Sequence, residues 1–380
     1  MFTEFSKHEL KEIRPVIHGG DIFEMARKYN LDYKEILDFS ANVNPLGPSP
    51  KVIKTINANA DQIPVYPDSN SIELREAIAN FVGKIGPENV VVGNGSTELI
   101  YQFCNVFLDN GSEAIVILPT FGEYENAVLR SGGSIKKVVM DGAFTYSPKQ
   151  VLRSISDITR MIFLCNPNNP TGNLLSEHKL QEIIEGALEK DVLVFLDEDC
   201  LEFSDSGGAS SYIRKVHFYP NLFVIRSFTK VFGLSGLRVG FGVGCKKIVD
   251  NLLRVKIPWN VNRLAQIAAI TALDDFGHVK NSLRIIRSER SFLSKGLSEI
   301  NGFKVFLTQA NFILINIKET GFTSSELKDE MLKRKILIRD CSSFKGLDQH
   351  FIRVSVRTHS ENKKLLSAFA KTCGKRYSSK

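Results

Sequence analysis

The sequence predicts an α/β protein with a large domain built on a mostly parallel central sheet and a smaller α+β domain. Short apolar runs recur through the middle of the chain, and helix-like stretches separate several of them. These runs are 89–93, 114–118, 161–165, 192–196, 222–225 and 239–243. Apolar strands that alternate with helices are typical of a parallel sheet covered on both faces. At 380 residues the chain also exceeds the usual size of a single core, which favours two domains.

Three parts are predicted along the chain: an N-terminal segment, 1–44, that joins the small domain, a large domain, 45–257, and a small C-terminal domain, 258–380. Pro258 is the expected joint, because proline interrupts both helices and strands. The α+β pattern of the last part consists of a long helical stretch, 261–300, strand-like runs at 303–307, 312–317, 336–338 and 351–356, and a helix-like run at 324–333.

The composition is ordinary for a globular protein, with 43% hydrophobic and 24% charged residues. No apolar run reaches the roughly 18 residues of a membrane span, and the N-terminus lacks the apolar core of a secretory signal. The formal net charge of +7 is a mild excess without a dense basic block before 371–380. We therefore expect neither membrane nor nucleic-acid binding, although the positive bias suits small anionic ligands.

The six cysteines are scattered, without a Cys-x-x-Cys pair or a nearby histidine at ligand spacing. This pattern predicts no metal site and no disulfide framework. A reducing, cytoplasmic location is the expectation that follows.

Lys230 gives the most direct indication of chemistry. It follows the apolar run 222–225 and enters a turn rich in glycine. A lysine in that position is well placed to form a Schiff base with an aldehyde cofactor. Ser227 and Arg238 would then hold the cofactor's phosphate, the arginine through a two-pronged contact. The alternative is a basic turn over a strand edge.

Three more polar motifs follow apolar runs, and ligands bind beyond the carboxyl ends of strands in open parallel sheets. Ser96 and Thr97 follow a Gly-Asn-Gly turn at a helix start, where backbone amides bind phosphate, although either residue could simply cap the helix. Asn169, in Asn-Pro-Asn-Asn-Pro-Thr-Gly, would donate to a cofactor ring oxygen, the alternative being a tight turn. Asp197 would keep a pyridine nitrogen protonated, and a metal-binding cluster is the alternative there.

Together, in this order, the motifs resemble those of the fold-type I pyridoxal-phosphate enzymes of the aspartate aminotransferase superfamily. The resemblance implies that pyridoxal 5'-phosphate is the cofactor and that Lys230 holds it covalently. Asp197 would pair with the pyridine nitrogen and Asn169 with the ring oxygen. The implied phosphate ligands are Ser96, Thr97, Ser227 and Arg238.

Three further positions are interpreted through the same resemblance. Phe121 would stack on the cofactor ring, or else be a core phenylalanine. Tyr66 matches a tyrosine that reaches the phosphate from the partner subunit, which implies a homodimer. Cys200 stands where many members of the superfamily have a tyrosine that donates to the ring oxygen, and a thiol is a poor donor.

Other segments resemble the threonine-phosphate decarboxylases of the cobalamin pathway. These segments are 18–21, 37–47, 257–262, 336–341 and 346–348. The expected reaction is therefore decarboxylation of L-threonine O-3-phosphate to (R)-1-amino-2-propanol O-2-phosphate. Serine O-phosphate, which lacks one methyl group, is a possible substrate. Histidinol-phosphate aminotransferases share the core motifs and are the alternative, and a non-catalytic binding module is a third hypothesis that an intact Lys230 opposes.

The substrate is expected to be a small phosphorylated amino acid held by His18, Asn44, Arg339 and Arg353. Without the resemblance, Arg353 would be interpreted as a rim residue paired with a carboxylate, and His18 as a cap of the N-terminal segment. Arg357 is open between the two roles. Stereoelectronics separates the reactions, because the bond broken at Cα is the one held perpendicular to the cofactor ring. A decarboxylase presents the carboxylate there, whereas an aminotransferase presents the hydrogen and clamps the carboxylate in the ring plane.

Overall fold

The computed structural model describes residues 13–377, which form a large α/β domain and a smaller α+β region. The helices are α1 (Ile22–Tyr29), α2 (Pro50–Ala58), α3 (Ile72–Val82), α4 (Ser96–Phe107), α5 (Glu123–Arg130), α6 (Pro148–Arg153), α7 (Glu177–Leu188), α8 (Lys246–Val255), α9 (Arg263–Asp274), α10 (Phe276–Ser298), α11 (Ser324–Leu332) and α12 (His359–Tyr377). The strands are β1 (Leu37–Asp38), β2 (Val90–Gly93), β3 (Glu113–Leu118), β4 (Ser134–Val139), β5 (Thr159–Cys165), β6 (Leu193–Asp197), β7 (Leu222–Ser227), β8 (Gly240–Gly244), β9 (Lys304–Val305), β10 (Phe312–Asn316), β11 (Ile336–Leu337), β12 (Arg339–Asp340) and β13 (Phe351–Ser355). Short 3-10 turns occur at Tyr33–Glu35, Ala60–Gln62, Pro87–Asn89, Leu201–Phe203, Ile213–Lys215, Ser235–Leu237 and Lys318–Thr320.

The central sheet has seven strands in the order β2-β8-β7-β6-β5-β3-β4. The five strands from β7 to β4 in this order run parallel to one another, and β8 is antiparallel to both of its neighbours. This is the mostly parallel α/β sheet that the sequence predicts. The parallel register places the carboxyl ends of β5, β6 and β7 side by side, so that Cys165 lies beside Asp197 and Asp197 beside Ile225.

Both faces of this sheet are buried, which explains why its strands consist of apolar runs. On one face, Phe163, Phe195 and Phe223 from adjacent strands pack with apolar residues of α4, α5 and α8. The opposite face packs against α6 and α7, and its core continues into the smaller region. Burying one such side chain stabilises the fold by about 1.5–3 kcal/mol.

The smaller region is an antiparallel sheet in the order β12-β13-β10-β9, packed against α10 and α12. The N-terminal segment reaches it through β1, which pairs in parallel with β11. Leu37 lies opposite Ile336, and Asp38 lies opposite Leu337. The domain boundaries at residues 44 and 258 stay a prediction.

Two details differ from the sequence-based interpretation. Strand β4 was not expected, since Lys136 and Lys137 are exposed on this edge of the sheet and interrupt its apolar pattern. Charged edge strands are common because they discourage pairing with another chain. The helical stretch predicted over 261–300 is two helices, which break at Asp275, where the backbone leaves the helical region. The Asp275 carboxylate accepts a hydrogen bond from Ser49 Oγ at 2.5 Å.

No helix within residues 13–377 is both long and apolar enough to cross a membrane. The six cysteines all lie in this range, and each is a free thiol. The cytoplasmic location stays a prediction.

The aromatic layer under the sheet gives a stability prediction. We expect Phe195→Ala to lower the free energy of unfolding by about 3–5 kcal/mol, because it leaves a cavity in a close-packed site. The Phe195 ring is fully buried, with its centroid 5.0 Å from those of Phe103 and Phe163. Chemical denaturation of the two proteins measures the change.

The matched control is Phe218→Ala, since Phe218 is 75% exposed. That variant should stay within about 0.5 kcal/mol of the parent. Equal effects of the two substitutions would contradict the packing described here.

Candidate active site

A cavity of about 1400 Å³ opens at the carboxyl edge of the central sheet. It extends under the N-terminal residues 14–20, which we call the N-terminal strap. Ten of the residues predicted from the sequence line it: His18, Ser96, Thr97, Phe121, Asn169, Asp197, Lys230, Arg238, Arg339 and Arg353. The order of strands in the sheet therefore brings together side chains that are up to 335 positions apart in the chain.

Lys230 lies in the turn that follows β7. Phe228 and Val231 flank it and are buried, which anchors the turn on both sides of the lysine. The Lys230 carbonyl accepts hydrogen bonds from the backbone N–H groups of Asn44 and Gly233. Gly233 has a φ of +72°, and a Cβ there would lie 2.6 Å from the backbone carbon of Gly47, so the turn requires glycine. The lysine is thus held at the cavity by backbone geometry.

Asp197, the last residue of β6, is a buried carboxylate with two firm donors. Tyr124 Oη donates to Oδ2 at 2.6 Å, and the Asp199 backbone N–H donates to Oδ1 at 2.9 Å. Burial and the neighbouring Asp199 carboxylate raise the pKa of Asp197 to about 7, and the Tyr124 bond opposes that rise. A cationic ring nitrogen in the cavity would favour the charged carboxylate.

Tyr124 is the residue of this site that the sequence analysis missed. It lies in the first turn of α5, and its ring stacks on Phe163 beneath the sheet edge. Burial and the nearby carboxylate raise the pKa of Tyr124 well above its usual value, so it remains a donor. The available signal was a tyrosine three residues after Phe121, close to the end of a strand.

Asn169 and Arg353 are joined by a hydrogen bond in which Arg353 Nη1 donates to Asn169 Oδ1. This bond assigns the two ends of the Asn169 amide, because Oδ1 is occupied and Nδ2 is left as the donor toward the cavity. Arg353 Nη2 donates to the Ser40 carbonyl at 3.0 Å. Burial lowers the pKa of Arg353 to about 10. An anion near this guanidinium would restore the stabilisation that burial removes.

An anion cradle forms where α4 begins. Gly95 precedes the helix with a φ of +80° and offers no side-chain cap to the first amides of α4, which include those of Ser96 and Thr97. A Cβ at Gly95 would lie 2.5 Å from Arg238 Nη2, so the absence of a side chain lets the guanidinium approach the helix end. Ser227 lies behind the cavity wall at the end of β7, and its buried Oγ has no hydrogen-bond partner of normal geometry.

These observations fit the phosphate of a pyridoxal cofactor. Uncapped amides at a helix N-terminus bind anions, and an arginine adds charge-assisted donors. A buried hydroxyl without a partner marks a place for a further polar atom. The cradle residues Ser96, Thr97 and Arg238 line the same cavity as Lys230 and Asp197, as a bound ring with a phosphate arm requires.

Phe121 and Cys200 both line the cavity, as the interpretation of them requires. The Phe121 ring meets Tyr124 edge-on at 5.6 Å and His18 at the same centroid distance. Cys200 is buried, and burial raises the pKa of its thiol to about 12. It stays protonated and leaves the ring oxygen to Asn169. The stacking role of Phe121 stays a prediction.

Arg339 lines the cavity, but its guanidinium is committed to the N-terminal strap. Nη1 donates to the His18 carbonyl at 2.9 Å, and Nη2 donates to the Ile17 carbonyl and to Ser343 Oγ. From the sequence we expect Arg339 to bind a substrate anion, whereas in the structure it donates to the backbone carbonyls of the strap. Arg357, which was left open, also lines the cavity and donates to the Asp38 carbonyl and to Glu361.

His18 belongs to the strap and pairs with a buried acid. Its Nε2 lies 2.6 Å from Glu123 Oε1, and Tyr101 donates to the other carboxylate oxygen. Burial raises the pKa of Glu123, but the hydrogen bonds from His18 and Tyr101 outweigh it and hold that pKa below its usual value. A second tie holds the strap, since Asn126 Nδ2 donates to the Arg14 carbonyl at 2.9 Å.

Besides Ser227, two predicted residues do not line the cavity of their own chain. The Asn44 amide is buried and donates to the Val231 carbonyl and to Ser282 Oγ, so it holds the lysine turn against α10 and contacts no substrate space. The prediction that Asn44 binds substrate is therefore wrong, and the residue has a structural role. Tyr66 is 74% exposed and stacks on Trp259, with centroids 4.8 Å apart.

A lysine turn, a strand-end carboxylate and an anion cradle at one edge of an open α/β sheet define a pyridoxal-phosphate-dependent enzyme with the fold-type I aminotransferase fold. The chain belongs to the family Aminotransferase class I and II, whose sequence profile matches residues 34–369. Pyridoxal phosphate is its cofactor.

Within this family, the chain is similar to several named proteins. A histidinol-phosphate aminotransferase from Methanocaldococcus jannaschii is 36% identical over 360 residues, which is 94% of each chain. The crystal structure of the histidinol-phosphate aminotransferase from Clostridium acetobutylicum has a TM-score of 0.83 at 31% identity and covers 90% of this chain and 100% of that one. The crystal structure of L-threonine-O-3-phosphate decarboxylase from Porphyromonas gingivalis has a TM-score of 0.79 at 26% identity and covers 89% of this chain and 99% of that one.

The expectation of threonine-phosphate decarboxylation is therefore wrong, and the lyase and cobalamin assignments fall with it. The relatives that match at 36% identity carry the other name, and the decarboxylase is a more distant structural neighbour. The structure also shows why the segment motifs misled us. Asn260, in the Pro-Trp-Asn segment, donates to the Val92 carbonyl and to Glu98, and Asn44 holds the lysine turn. These contacts hold parts of the fold together.

The Tyr124 hydrogen bond gives a prediction about Asp197. We expect Tyr124→Phe to raise the pKa of Asp197, because the substitution removes a donor that favours the charged carboxylate. A charge-assisted bond of this kind contributes about 1.5–3 kcal/mol, so cofactor affinity near neutral pH should fall by roughly tenfold or more. Equilibrium dialysis of the cofactor across a pH series measures the change.

The loss should be greatest at low pH and should diminish as the pH rises and Asp197 ionises in both proteins. Tyr219→Phe is the control, since its hydroxyl bonds Glu185 far from the cavity. A pH-independent loss in Tyr124→Phe, or an equal loss in the control, would contradict the role described for Tyr124.

Proposed function

We propose that this protein is an aminotransferase that moves the amino group of L-histidinol phosphate to 2-oxoglutarate. The hydrogen bond between Arg353 and Asn169 is the structural observation that carries the proposal. The names of the relatives that match nearly the whole chain support the choice of amino substrate.

The Arg353 bond matters because it fixes the arginine relative to the cofactor ring. Asn169 Nδ2 is the donor left for the ring oxygen, so a bound ring would have its oxygen-bearing edge close to the guanidinium. A carboxylate held there would lie near the ring plane. The Cα–H bond of glutamate, the product of the proposed reaction, would then be the bond aligned for cleavage in the reverse direction, as amino transfer requires, and the carboxylate would be retained.

The cavity also suits a substrate that carries a phosphate. Beyond Arg353, its lining includes Arg14, Lys345 and Arg357. Lys345 is partly neutralised by Glu125, with 2.7 Å between Nζ and the carboxylate, whereas no ion pair is found for Arg14 among the described residues. Fixed cations in a partly enclosed cavity attract small anions and hold them through charge-assisted bonds.

The residues divide the chemical work among them. When bound, pyridoxal phosphate supplies an aldehyde for the amine and a ring that accepts the electron pair released at the substrate Cα. Asp197 holds the proton on the ring nitrogen, and Tyr124 keeps that carboxylate charged. Lys230 would hold the cofactor aldehyde, and its Nζ would be the group that takes the proton from the substrate Cα. The N-terminal strap lines the cavity and would restrict the access of water to it.

A coupled assay tests the proposal. Purified protein with L-histidinol phosphate and 2-oxoglutarate should produce glutamate, measured with glutamate dehydrogenase. Lys230→Ala should lose at least about 10²–10⁴-fold in turnover, since it removes both the covalent anchor and the proton carrier. Lys247→Ala, an exposed lysine on α8, is the matched control and should keep full turnover.

Two outcomes would overturn the proposal. One is the absence of glutamate from protein that is shown by absorbance to hold the cofactor. The other is carbon dioxide release from an amino-acid phosphate with no glutamate formed.

We further propose that the enzyme works as a homodimer in which Tyr66 completes the partner's site. Tyr66 does not line its own cavity and is strongly exposed. It belongs to a set of exposed apolar side chains at 63–66 and 257–259, and such patches often mark interfaces. A second copy of this chain is the occupant that the predicted role of Tyr66 requires.

Mixing two impaired variants tests the shared site. Lys230→Ala and Tyr66→Ala proteins should each have low turnover alone. In a hybrid dimer, one site contains both substitutions and the other contains neither, so turnover should recover when the subunits are mixed, unfolded and refolded together. Mixing Lys230→Ala with Asp197→Ala should give no recovery, since both residues belong to one chain's site. No recovery in the first mixture, although hybrid dimers form, would refute the shared site.

A further inference from the structure

Asp199 is a second carboxylate in this cavity, and the mechanism above gives it no task. It follows Asp197 by two residues and lines the cavity beside the anion cradle. Its Oδ2 accepts a hydrogen bond from Ser96 Oγ at 3.2 Å. Its Oδ1 is buried and has no hydrogen-bond partner of normal geometry among residues 13–377, although Ser227 lies close enough to act against the rise that burial causes in the pKa of Asp199. A buried carboxylate oxygen without a donor is costly for a charged group.

The charged and titratable groups around Asp199 come from three directions. Asp197, Cys200 and Glu202 lie on its own segment, Lys230 lies in the turn after β7, and Arg226 lies on β7. Arg226 is already paired with Glu198 and Glu202, at 2.9 and 3.0 Å. Burial raises the pKa of Asp199, and attraction to Lys230 opposes that rise. Lys230 is therefore the cation that balances Asp199 in the free enzyme.

Filling the cradle removes this balance. The cofactor engages Lys230 and brings a phosphate against Ser96, so an anion is added beside Asp199 while its cation is used elsewhere. Ser96 also faces a conflict, because a hydroxyl has one hydrogen to donate and it now donates that hydrogen to Asp199. If Ser96 turns its hydrogen to the phosphate, the Asp199 carboxylate loses its only side-chain donor that has normal geometry.

A proton on Asp199 resolves both problems, since a hydroxyl can accept while it donates. We propose that Asp199 is a positioning residue that carries a proton in the loaded enzyme and donates it to Ser96 Oγ, so that Ser96 donates to the cofactor phosphate. Retention of the cofactor is thereby coupled to the protonation of one carboxyl group. The coupling depends on the cofactor alone and is independent of which amino compound the enzyme uses.

The direction of the pH dependence follows from this arrangement. A nearby phosphate disfavours the charged carboxylate, so loading raises the pKa of Asp199 above its value in the free enzyme. Cofactor affinity is then full at a pH below the free-enzyme pKa of Asp199. It declines as the pH rises from that pKa to the higher pKa of the loaded enzyme, and levels off above it.

Titration of the apoenzyme with pyridoxal phosphate tests the coupling, with Kd measured by equilibrium dialysis at about pH 6 and about pH 9. Asp199→Asn is neutral at every pH, and its amide can still donate to Ser96 Oγ. In each protein the ratio of the Kd at about pH 9 to the Kd at about pH 6 measures the loss of affinity. We expect this ratio to be smaller in Asp199→Asn than in the parent by a factor of about ten or more, which corresponds to a change of one pKa unit. Asp157→Asn, at an exposed position before β5, should follow the parent.

Ionisation of the lysine amine and of the phosphate is common to all three proteins, so the difference between them isolates Asp199. Pyridoxal without its phosphate gives a second comparison, and with it the difference in pH dependence between the parent and Asp199→Asn should be smaller, because only the engagement of Lys230 then disturbs Asp199. Circular dichroism and thermal melting check that each variant is folded. If Asp199→Asn does not fold, Asp199→Ala takes its place, because it is also neutral at every pH and should show the same reduced pH dependence with pyridoxal phosphate.

Parent-like pH dependence in folded Asp199→Asn would overturn the inference. So would a reduced pH dependence that is equally present with pyridoxal, since it would place the effect at Lys230 and not at the cradle. Neither result bears on whether histidinol phosphate is the substrate, because no amino substrate is present.

Discussion

The buried carboxylate at the end of β6 is the constraint on which the site depends. Asp197 occupies the carboxyl edge of a sheet covered on both faces, where an unbalanced charge is expensive. Tyr124, the Asp199 backbone and the parallel neighbours of β6 hold it in place. A cationic ring nitrogen completes that balance, so the fold itself creates a demand for the cofactor. The position of Lys230 follows, because β7 lies next to β6 and delivers its turn to the same edge.

The charged side chains of this cavity differ in whether the protein supplies an oppositely charged partner. Arg353 is held by neutral oxygens of Asn169 and Ser40, and Arg339 by carbonyls of the N-terminal strap. Neither is neutralised by a protein carboxylate in these contacts. Asp197 and Asp199 form the opposite case, with two acids near one lysine. The cavity therefore offers cations to the substrate, and beside the cofactor ring it offers Asp197, whose charge a cationic ring nitrogen would balance.

The sequence predicted what depends on strand ends and turn chemistry. Lys230, Asp197, Asn169 and the cradle residues each follow an apolar run, and a parallel sheet must bring such ends together. Tyr124 was missed because it contacts Asp197 from the first turn of a helix, where periodicity carries no sign of function.

The errors came from contacts between distant segments. The commitment of Arg339 to strap carbonyls and of Asn44 to Val231 joins parts of the chain that no local pattern relates. The choice of reaction was also wrong, because it relied on motifs such as the one around Asn260, which in this chain makes a packing contact to the Val92 carbonyl. Strand β4 was missed because its exposed lysines hide an edge strand.

The way Arg339 holds the N-terminal strap has a consequence for how such a site can diverge. The guanidinium grips the carbonyls of Ile17 and His18, which every amino acid possesses, and ignores their side chains. The strap can therefore change its sequence at these positions without losing this anchor. Substitutions at these positions can therefore change the side chains that face the cavity while the N-terminal strap keeps its anchor to Arg339.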